Sequence, residues 1–257
     1  MKLLFIIAGG SFRIGSTQNR NYGSKEAYNE QIRASKSHID FINHLKNKYN
    51  ILIDVIISTY STDYDNDLIN IYSDYIIDKN LFKYDNGNGL KGIHNIFRES
   101  YKHYLKDYDA VLFFRIDIIL KQKLFDIFNP YCQKILFPFI LSKINVTNGN
   151  IDDKYPSGHP KHSDMLLFIP KKYFNIINII NIGHGTWEEL VGGECGFVNH
   201  GKNILTYDDF DCMIYSYHDS DSEKDWNPLY YTVNRGQADF KNWIDMGIFD
   251  KNNYNYI

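Results

Sequence analysis

Arg115 and Asp117 are the residues of this chain best suited to chemistry, because they directly follow a predicted buried strand. That strand is the apolar run Ala110–Phe114, and an unbroken apolar run is typical of a strand covered on both faces of a parallel sheet. Side chains alternate along a strand, so the two charged groups are predicted to lie on one side of it. Open α/β sheets bind ligands at the carboxyl ends of their strands, which predicts a ligand site here. An ion pair that closes the strand end is the alternative.

Asp117 is a candidate ligand of a divalent cation. Mn²⁺ and Mg²⁺ are held by one or two protein carboxylates together with phosphate oxygens of a bound ligand. Such an ion would neutralise charge on a departing nucleoside diphosphate, and Arg115 would add a fixed positive charge beside it. His218 is a candidate second metal ligand, with a surface histidine as the alternative.

The apolar run Leu3–Ala8 predicts a first buried strand, and the segment after it is a candidate phosphate site. Gly10 and Gly15 have the spacing of a P-loop, but Ser16 stands where that motif has its lysine. A P-loop kinase or sulfotransferase is therefore disfavoured. We expect instead that the glycines let the backbone approach a ligand and that Arg13 contacts its diphosphate. A simple strand-to-loop turn is the alternative.

Two carboxylates later in the chain are candidate general bases. Asp164 precedes the apolar run Met165–Ile169, where it could accept a proton from a hydroxyl group. A polar turn is the alternative, and the nearby His159 and His162 match no zinc spacing. Glu194 lies among glycines, where backbone can approach a ligand closely.

Helices and strands alternate over about the first 120 residues, which predicts βαβ units and a mostly parallel sheet. Ser24 is expected to cap a helix that runs from about Lys25 to Lys48. A second helix is predicted over Leu90–Leu105, and Lys91, His94 and Asn95 in its first turn could reach the ligand crevice. The second half is less regular, and no linker divides the chain. We expect a single α/β domain over residues 1–257.

Composition excludes several classes of function. The net charge of −3 gives no basic face for nucleic acid or an anionic membrane. The three cysteines form no C-x-x-C motif, so a disulfide framework or zinc ribbon is not expected. No apolar run approaches the ~20 residues that cross a bilayer. We expect a cytoplasmic protein, in the host cytoplasm if the chain is viral.

Three short motifs, in this order, carry a family resemblance: Arg115-Ile116-Asp117 at a strand end, Ser163-Asp164 before an apolar strand, and Gly193-Glu194. Over roughly residues 1–205 they resemble nucleotide-sugar glycosyltransferases of the GT-A fold. More narrowly, they resemble bacterial lipopolysaccharide-synthesis proteins of the WavE type and related viral enzymes. The GT-A family has Asp-x-Asp where this chain has Arg-x-Asp, and Gly193 stands where the WavE type has proline.

The resemblance implies transfer of a sugar from a UDP- or GDP-sugar to a hydroxyl of a glycan or lipid-linked acceptor. Residues 1–120 would form the nucleotide-binding half and residues 121–257 the acceptor half. Mn²⁺ or Mg²⁺ at Asp117 would hold the diphosphate, and Asp164 or Glu194 would be the base of an inverting reaction. The implied nucleotide-binding residues are Ala8, Gly9, Gly10, Arg13, Ser58, Thr59, Tyr60 and Arg115, joined by Lys91 and Asn95. A catalytically inactive GT-A-like module that binds glycans or a protein is the alternative.

Overall fold

The computed structural model describes residues 1–14, 21–83, 103–137, 144–145, 150–151, 166–174, 210–212 and 231–233. Side chains are described within 1–13, 23–83, 103–136 and 166–174. Most of the helix predicted over Leu90–Leu105 lies outside these ranges.

The described strands, numbered in chain order, are β1 Lys2–Gly9, β2 Arg13–Ile14, β3 Asn21–Tyr22, β4 Leu52–Tyr60, β5 Ile76–Phe82, β6 Ala110–Arg115, β7 Ile118–Leu120, β8 Ile135–Phe137, β9 Ile144–Asn145, β10 Asn150–Ile151, β11 Leu166–Pro170, β12 Phe210–Cys212 and β13 Tyr231–Val233. The described α-helices are α1 Lys25–Tyr49, α2 Asp65–Ile71 and α3 Gln122–Ile127. Short 3₁₀ turns lie at Leu105–Asp107 and Lys171–Tyr173.

Seven of these strands form one sheet in the order β12-β8-β11-β6-β1-β4-β5. β1 is parallel to β4 and β6, and β4 is parallel to β5. β11 is antiparallel to β6 and to β8. The predicted fold class, α/β with a mostly parallel central sheet flanked by helices, is confirmed.

Helix α1 begins and ends where the sequence predicts. The Ser24 side chain accepts a hydrogen bond from the Ala27 N–H at 3.1 Å, which satisfies one of the free donors of the first turn. Asn50, with φ of 51°, ends the helix in the left-handed conformation that asparagine tolerates. The helix connects β1 to β4, so β1-α1-β4 is a βαβ unit.

The two faces of the sheet are covered differently. Alternate residues of β1, such as Phe5 and Ile7, pack with Phe41 of α1 and Phe125 of α3 on one face. The other alternate set packs on the opposite face with Leu105, Tyr108, Tyr173 and Phe174, which lie in or beside the 3₁₀ turns. Burial of both faces explains why β1 and β6 are continuous apolar runs.

The described part of the chain contains no helix with both the length and the apolar character needed to span a membrane.

Candidate functional site

The site lies where the direction of chain crossing over the sheet changes. From β1 the chain passes through α1 to β4 on one side, and it later returns to β6 on the other side of β1. β1 and β6 are neighbouring parallel strands, so their carboxyl ends lie together at one edge of the sheet, the edge at which open α/β sheets bind ligands. The loop after β1 carries Arg13, and the turn after β6 carries Asp117.

Arg13, Arg115 and Asp117 form one buried charge cluster. Arg115 donates from Nε to Asp117 Oδ1 at 2.8 Å and from Nη2 to Oδ2 at 2.6 Å. Arg13 Nη2 donates to the same Oδ2 at 2.8 Å. The Asp117 side chain is 4% exposed, against 8% for Arg13 and 19% for Arg115. Among these three side chains there are two guanidinium groups and one carboxylate.

The geometry at the end of β6 differs from the expectation. Ile116 and Asp117 lie in a turn between β6 and β7, so strand alternation does not orient Asp117 as predicted. The turn brings its carboxylate back to the Arg115 guanidinium. The two residues thus form the ion pair that was the alternative at this point, with Arg13 as an added partner.

The first turns after β1 and β6 are held in contact. The Ile116 N–H donates to the Ala8 carbonyl at 2.9 Å. Gly9 has φ of 133°, a conformation that a residue with Cβ adopts only under strain, and an added Cβ would lie 3.4 Å from Ile116 Cγ2. Glycine at position 9 therefore lets the chain turn beside Ile116 toward Arg13.

A hydroxyl network connects the loop after β1 to the end of β4. Thr59 Oγ1 accepts from the Ser11 N–H at 2.9 Å and donates to Ser11 Oγ at 2.8 Å. Ser11 Oγ donates in turn to the Tyr60 carbonyl at 3.4 Å. Thr59 and Ser11 are both fully buried, so this network fixes the loop that carries Arg13.

Ser58 differs from its neighbour Thr59. It is fully buried, yet its Oγ has no hydrogen-bond partner within the described residues. Its register partners are Ala8 in β1 and Asn80 in β5, and Ala8 is also the register partner of Arg115. Ser58, Ala8 and Arg115 therefore form a row across three strands on one face of the sheet, at its carboxyl edge.

The side chain of Gln31 in α1 binds backbone groups of both the loop after β1 and the turn after β6. Its Oε1 accepts from the Phe12 N–H at 3.2 Å, and its Nε2 donates to the Ile116 carbonyl at 2.9 Å. Nε2 also lies 3.2 Å from Ser35 Oγ. One buried amide thus fixes the residue before Arg13 and the residue before Asp117.

His38 makes a further contact two turns along α1 from Gln31. Its Nε2 donates to the Ile118 carbonyl at 2.7 Å, so its Nδ1 accepts from the Tyr72 hydroxyl at 2.6 Å. Burial lowers the pKa of His38 to about 4. The hydrogen bond to Ile118 and the charge of Asp117 raise this pKa, but by less than burial lowers it. Burial likewise raises the pKa of Tyr72, which keeps the proton it donates.

The sequence did not single out Gln31, His38 or Ser11. The available signal was polar side chains at 31, 35 and 38, on the helix face that also carries Phe41, Ile42 and Leu45. Polar residues within an apolar stripe must find hydrogen-bond partners, which indicates contacts with nearby backbone.

An aromatic cluster covers the outer side of the same loop. The Phe12 ring lies 5.8 Å from Tyr28 in a stacked arrangement and 5.2 Å from Tyr64. Phe12 is fully buried and has φ of 48°, so its ring turns in against α1 and the chain beyond it points Arg13 toward Asp117.

The donor set around Asp117 does not fit a divalent cation. Both carboxylate oxygens accept hydrogen bonds from guanidinium groups, and a cation at Oδ1 or Oδ2 would lie beside two positive charges. Across the described residues, no group of three or more His, Cys, Asp or Glu side chains could hold a metal ion. The residues present fit an anion instead.

Several predicted site residues lie outside the described ranges, and their roles stay predictions: Lys91, His94, Asn95, Asp164, Glu194 and His218.

Solved structures that are similar in part include glycosyltransferases. One is a mutant of Drosophila β-1,4-galactosyltransferase 7 in complex with manganese, UDP-Gal and xylobiose, at 9% identity over 68% of this chain and 50% of that chain, with a TM-score of 0.33. Another is the glycosyltransferase GlyE of Streptococcus pneumoniae, at 13% identity over 97% of this chain and 51% of that one, with a TM-score of 0.37. A solved structure of HddC from Yersinia pseudotuberculosis is also similar, at 11% identity over 82% of this chain and 88% of that one, with a TM-score of 0.40.

This chain spans about half the length of the first two of these chains. With TM-scores below 0.5, these similarities carry no argument about the chemistry of the site. No protein-family model matches the chain, and no curated protein matches it in sequence.

Proposed function

We propose that this chain is a glycosyltransferase that takes its sugar from a nucleoside-diphosphate sugar, UDP or GDP, and transfers it to a hydroxyl of a glycan or lipid-linked acceptor. The observation that carries the proposal is the Arg13–Asp117–Arg115 cluster at the carboxyl ends of β1 and β6. Two guanidinium groups at one place offer N–H donors and positive charge to an anionic ligand. A diphosphate is the anionic group that a nucleotide sugar would bring to this edge of the sheet.

In this proposal the nucleoside binds at the carboxyl ends of the neighbouring strands β1 and β4. The Ser58 Oγ is buried without a partner among the described residues, and it lies in register with Ala8 and, through Ala8, with Arg115. Adjacent strands are about 4.8 Å apart, so Ser58 and Arg115 are separated by roughly 10 Å across the sheet. A ligand that extends along this row would place its phosphates near Arg115 and its ribose or base near Ser58.

The acceptor side of the proposal rests on the sequence. Asp164 or Glu194 would accept the acceptor proton in an inverting reaction, and residues 121–257 would bind the acceptor. The resemblance of Arg115-Ile116-Asp117 to the strand-end motif of WavE-type and viral enzymes supports the same site. The three cysteines of the sequence are far apart and odd in number, which is in keeping with a reducing compartment, and we propose the cytoplasm.

Thermal unfolding with nucleotides tests the proposal. A ligand at about 100 times its Kd stabilises the folded state by about 2.7 kcal/mol, which raises the Tm of a chain of this size by about 5 to 10 °C. We expect UDP or GDP to give this rise, and the matching nucleoside, which has no diphosphate, to give a much smaller one. An unchanged melting curve with every nucleoside diphosphate would contradict the proposal.

A second candidate function is an inactive GT-A-like module that binds glycans or a protein. The observation that favours it is Arg115 at the position where the resembled family has its first acidic residue. Release of nucleotide from UDP- or GDP-sugars separates the two functions, since an inactive module binds a ligand without releasing nucleotide.

A further inference from the structure

This inference rests on the proposed function and concerns how its diphosphate is held. We infer that Arg13 and Arg115 neutralise the diphosphate without a divalent cation, and that Asp117 is a positioning residue for the two guanidinium groups. The metal ion that the sequence predicts at Asp117 is thereby replaced by fixed positive charge.

The first argument is the occupancy of the carboxylate. Oδ2 accepts from Nη2 of Arg13 at 2.8 Å and from Nη2 of Arg115 at 2.6 Å, and Oδ1 accepts from Nε of Arg115. A cation at either oxygen of Asp117 would lie beside the two guanidinium groups, which repel it. An anion beside the same groups is attracted by both of them.

The second argument is a buried donor without a partner. The Arg13 side chain is 8% exposed, and its Nε has no hydrogen-bond partner within the part of the chain that the structure describes. A guanidinium group has five N–H donors, and the hydrogen bond to Asp117 uses one of them. Buried donors that stay unpaired cost free energy, so a ligand oxygen at Nε would be bound favourably.

The third argument is that protein contacts fix the backbone beside Arg13 and Asp117. Gln31 holds the backbone of Phe12 and Ile116, and the Ile116 N–H contacts the Ala8 carbonyl. The residues adjacent to Arg13 and Asp117 are therefore fixed by the protein itself. A preorganised pair of arginines supplies the charge stabilisation that a metal ion supplies elsewhere.

Calorimetric binding of inorganic pyrophosphate in buffer with EDTA tests the inference. We expect binding in EDTA, and a loss of affinity of roughly tenfold or more in Arg13→Gln, since one of the two phosphate-binding charges is gone. Arg33→Gln is the matched control, because it removes the same charge from a side chain of α1 that is 46% exposed. That control should change the affinity by less than about twofold.

A conservative variant separates a folding defect from a binding defect. Arg13→Lys keeps the charge but loses the planar fork of donors, so we expect an affinity between those of the wild type and Arg13→Gln. Circular dichroism of each variant checks the fold. Equal pyrophosphate affinity in the wild type and a folded Arg13→Gln variant would overturn the inference.

The outcomes distinguish this inference from the proposed function. If UDP or GDP binds only when Mn²⁺ or Mg²⁺ is added and is released by EDTA, the inference is wrong and the proposed function stands. If pyrophosphate binds in EDTA through Arg13 but neither nucleotide binds, the anion site stands and the glycosyltransferase proposal is wrong. Absence of pyrophosphate binding under both conditions overturns the inference.

Discussion

Asp117 is buried and bound by arginines, which distinguishes it from an exposed metal ligand. It accepts three hydrogen bonds from two arginines while only 4% of its side chain is exposed. A buried carboxylate is stable only when it is paired and hydrogen-bonded, and guanidinium groups satisfy both needs at once. At the scale of the residue, Asp117 determines where the two positive charges lie.

At the residue scale, we predict that His38 makes the free energy of unfolding depend on pH. Its pKa is about 4 in the folded protein, because burial disfavours the charged ring, and 6.5 is its ordinary value. Between these values the unfolded chain binds a proton that the folded chain does not, so stability falls as the pH falls from about 6.5 to about 4. From about pH 7 to pH 5 we expect this histidine to account for a loss of about 2 kcal/mol in the free energy of unfolding.

Urea unfolding of the wild type and His38→Gln at both pH values measures this effect. The other histidines and the carboxylates are present in both proteins, so their contributions cancel in the difference. Glutamine does not titrate, and its amide can occupy part of the same space. An equal pH dependence in the two proteins would show that His38 does not remain neutral in the folded state.

At the scale of the element, α1 does more than cover the sheet. Its apolar residues, such as Phe41 and Ile42, pack on the sheet, whereas Gln31 and His38 bind backbone groups of the loop after β1 and of the segment around β7. The side chain of Ser37 likewise accepts from the Leu120 N–H at 2.9 Å. The helix therefore sets the distance between the two loops that carry the charge cluster.

At the element scale, the substitution Gln31→Met tests whether α1 holds the two loops through this amide. Methionine has a similar volume but cannot replace the amide, so the Phe12 N–H and the Ile116 carbonyl lose their partner in a buried place. We expect a loss of about 2 kcal/mol or more in the free energy of unfolding and weaker pyrophosphate binding. Asn29→Met, on the exposed side of the same helix, is the control. Unfolding in urea and calorimetry measure the two effects, and a variant that keeps both wild-type values would refute the role of this amide.

At the scale of the whole molecule, the sheet joins distant parts of the chain. β11, in the region predicted as the acceptor half, pairs with β6 over five residues, from Leu166 opposite Phe114 to Pro170 opposite Ala110. Phe168 is fully buried, and its ring lies 5.5 Å from that of Phe128. The pairing places the strand after Asp164 directly beside the strand that ends at Arg115.

Phe168→Ala tests whether β11 belongs to the same cooperative unit as β1 and β6. Loss of a fully buried phenylalanine leaves a cavity and should cost about 3 to 5 kcal/mol. We expect one unfolding transition, shifted to lower urea concentration as a whole. Ile127→Ala, whose side chain is 39% exposed, should cost much less. A separate early transition in Phe168→Ala would indicate that β11 unfolds independently of the rest.

The sequence determined the elements whose signal is local. Apolar runs over Leu3–Ala8 and Ala110–Phe114 predicted β1 and β6 within one or two residues, and Ser24 marked the start of α1. These signals are strong because an unbroken apolar run and a capping serine are recognised from a few consecutive residues. The alternation of helix and strand likewise predicted a parallel sheet and the edge at which Arg13 and Arg115 lie.

Only the tertiary structure decided what those residues contact. Arg13 and Asp117 are 104 positions apart, and no periodicity of the chain links them. Their pairing depends on the turn at Ile116, on the conformation of Gly9, and on an amide of α1 that binds both loops. Long-range contacts between side chains arise from how elements pack, and a sequence pattern records only which residues share an element. For that reason the sequence could indicate a charged site but not that its carboxylate is enclosed by arginines.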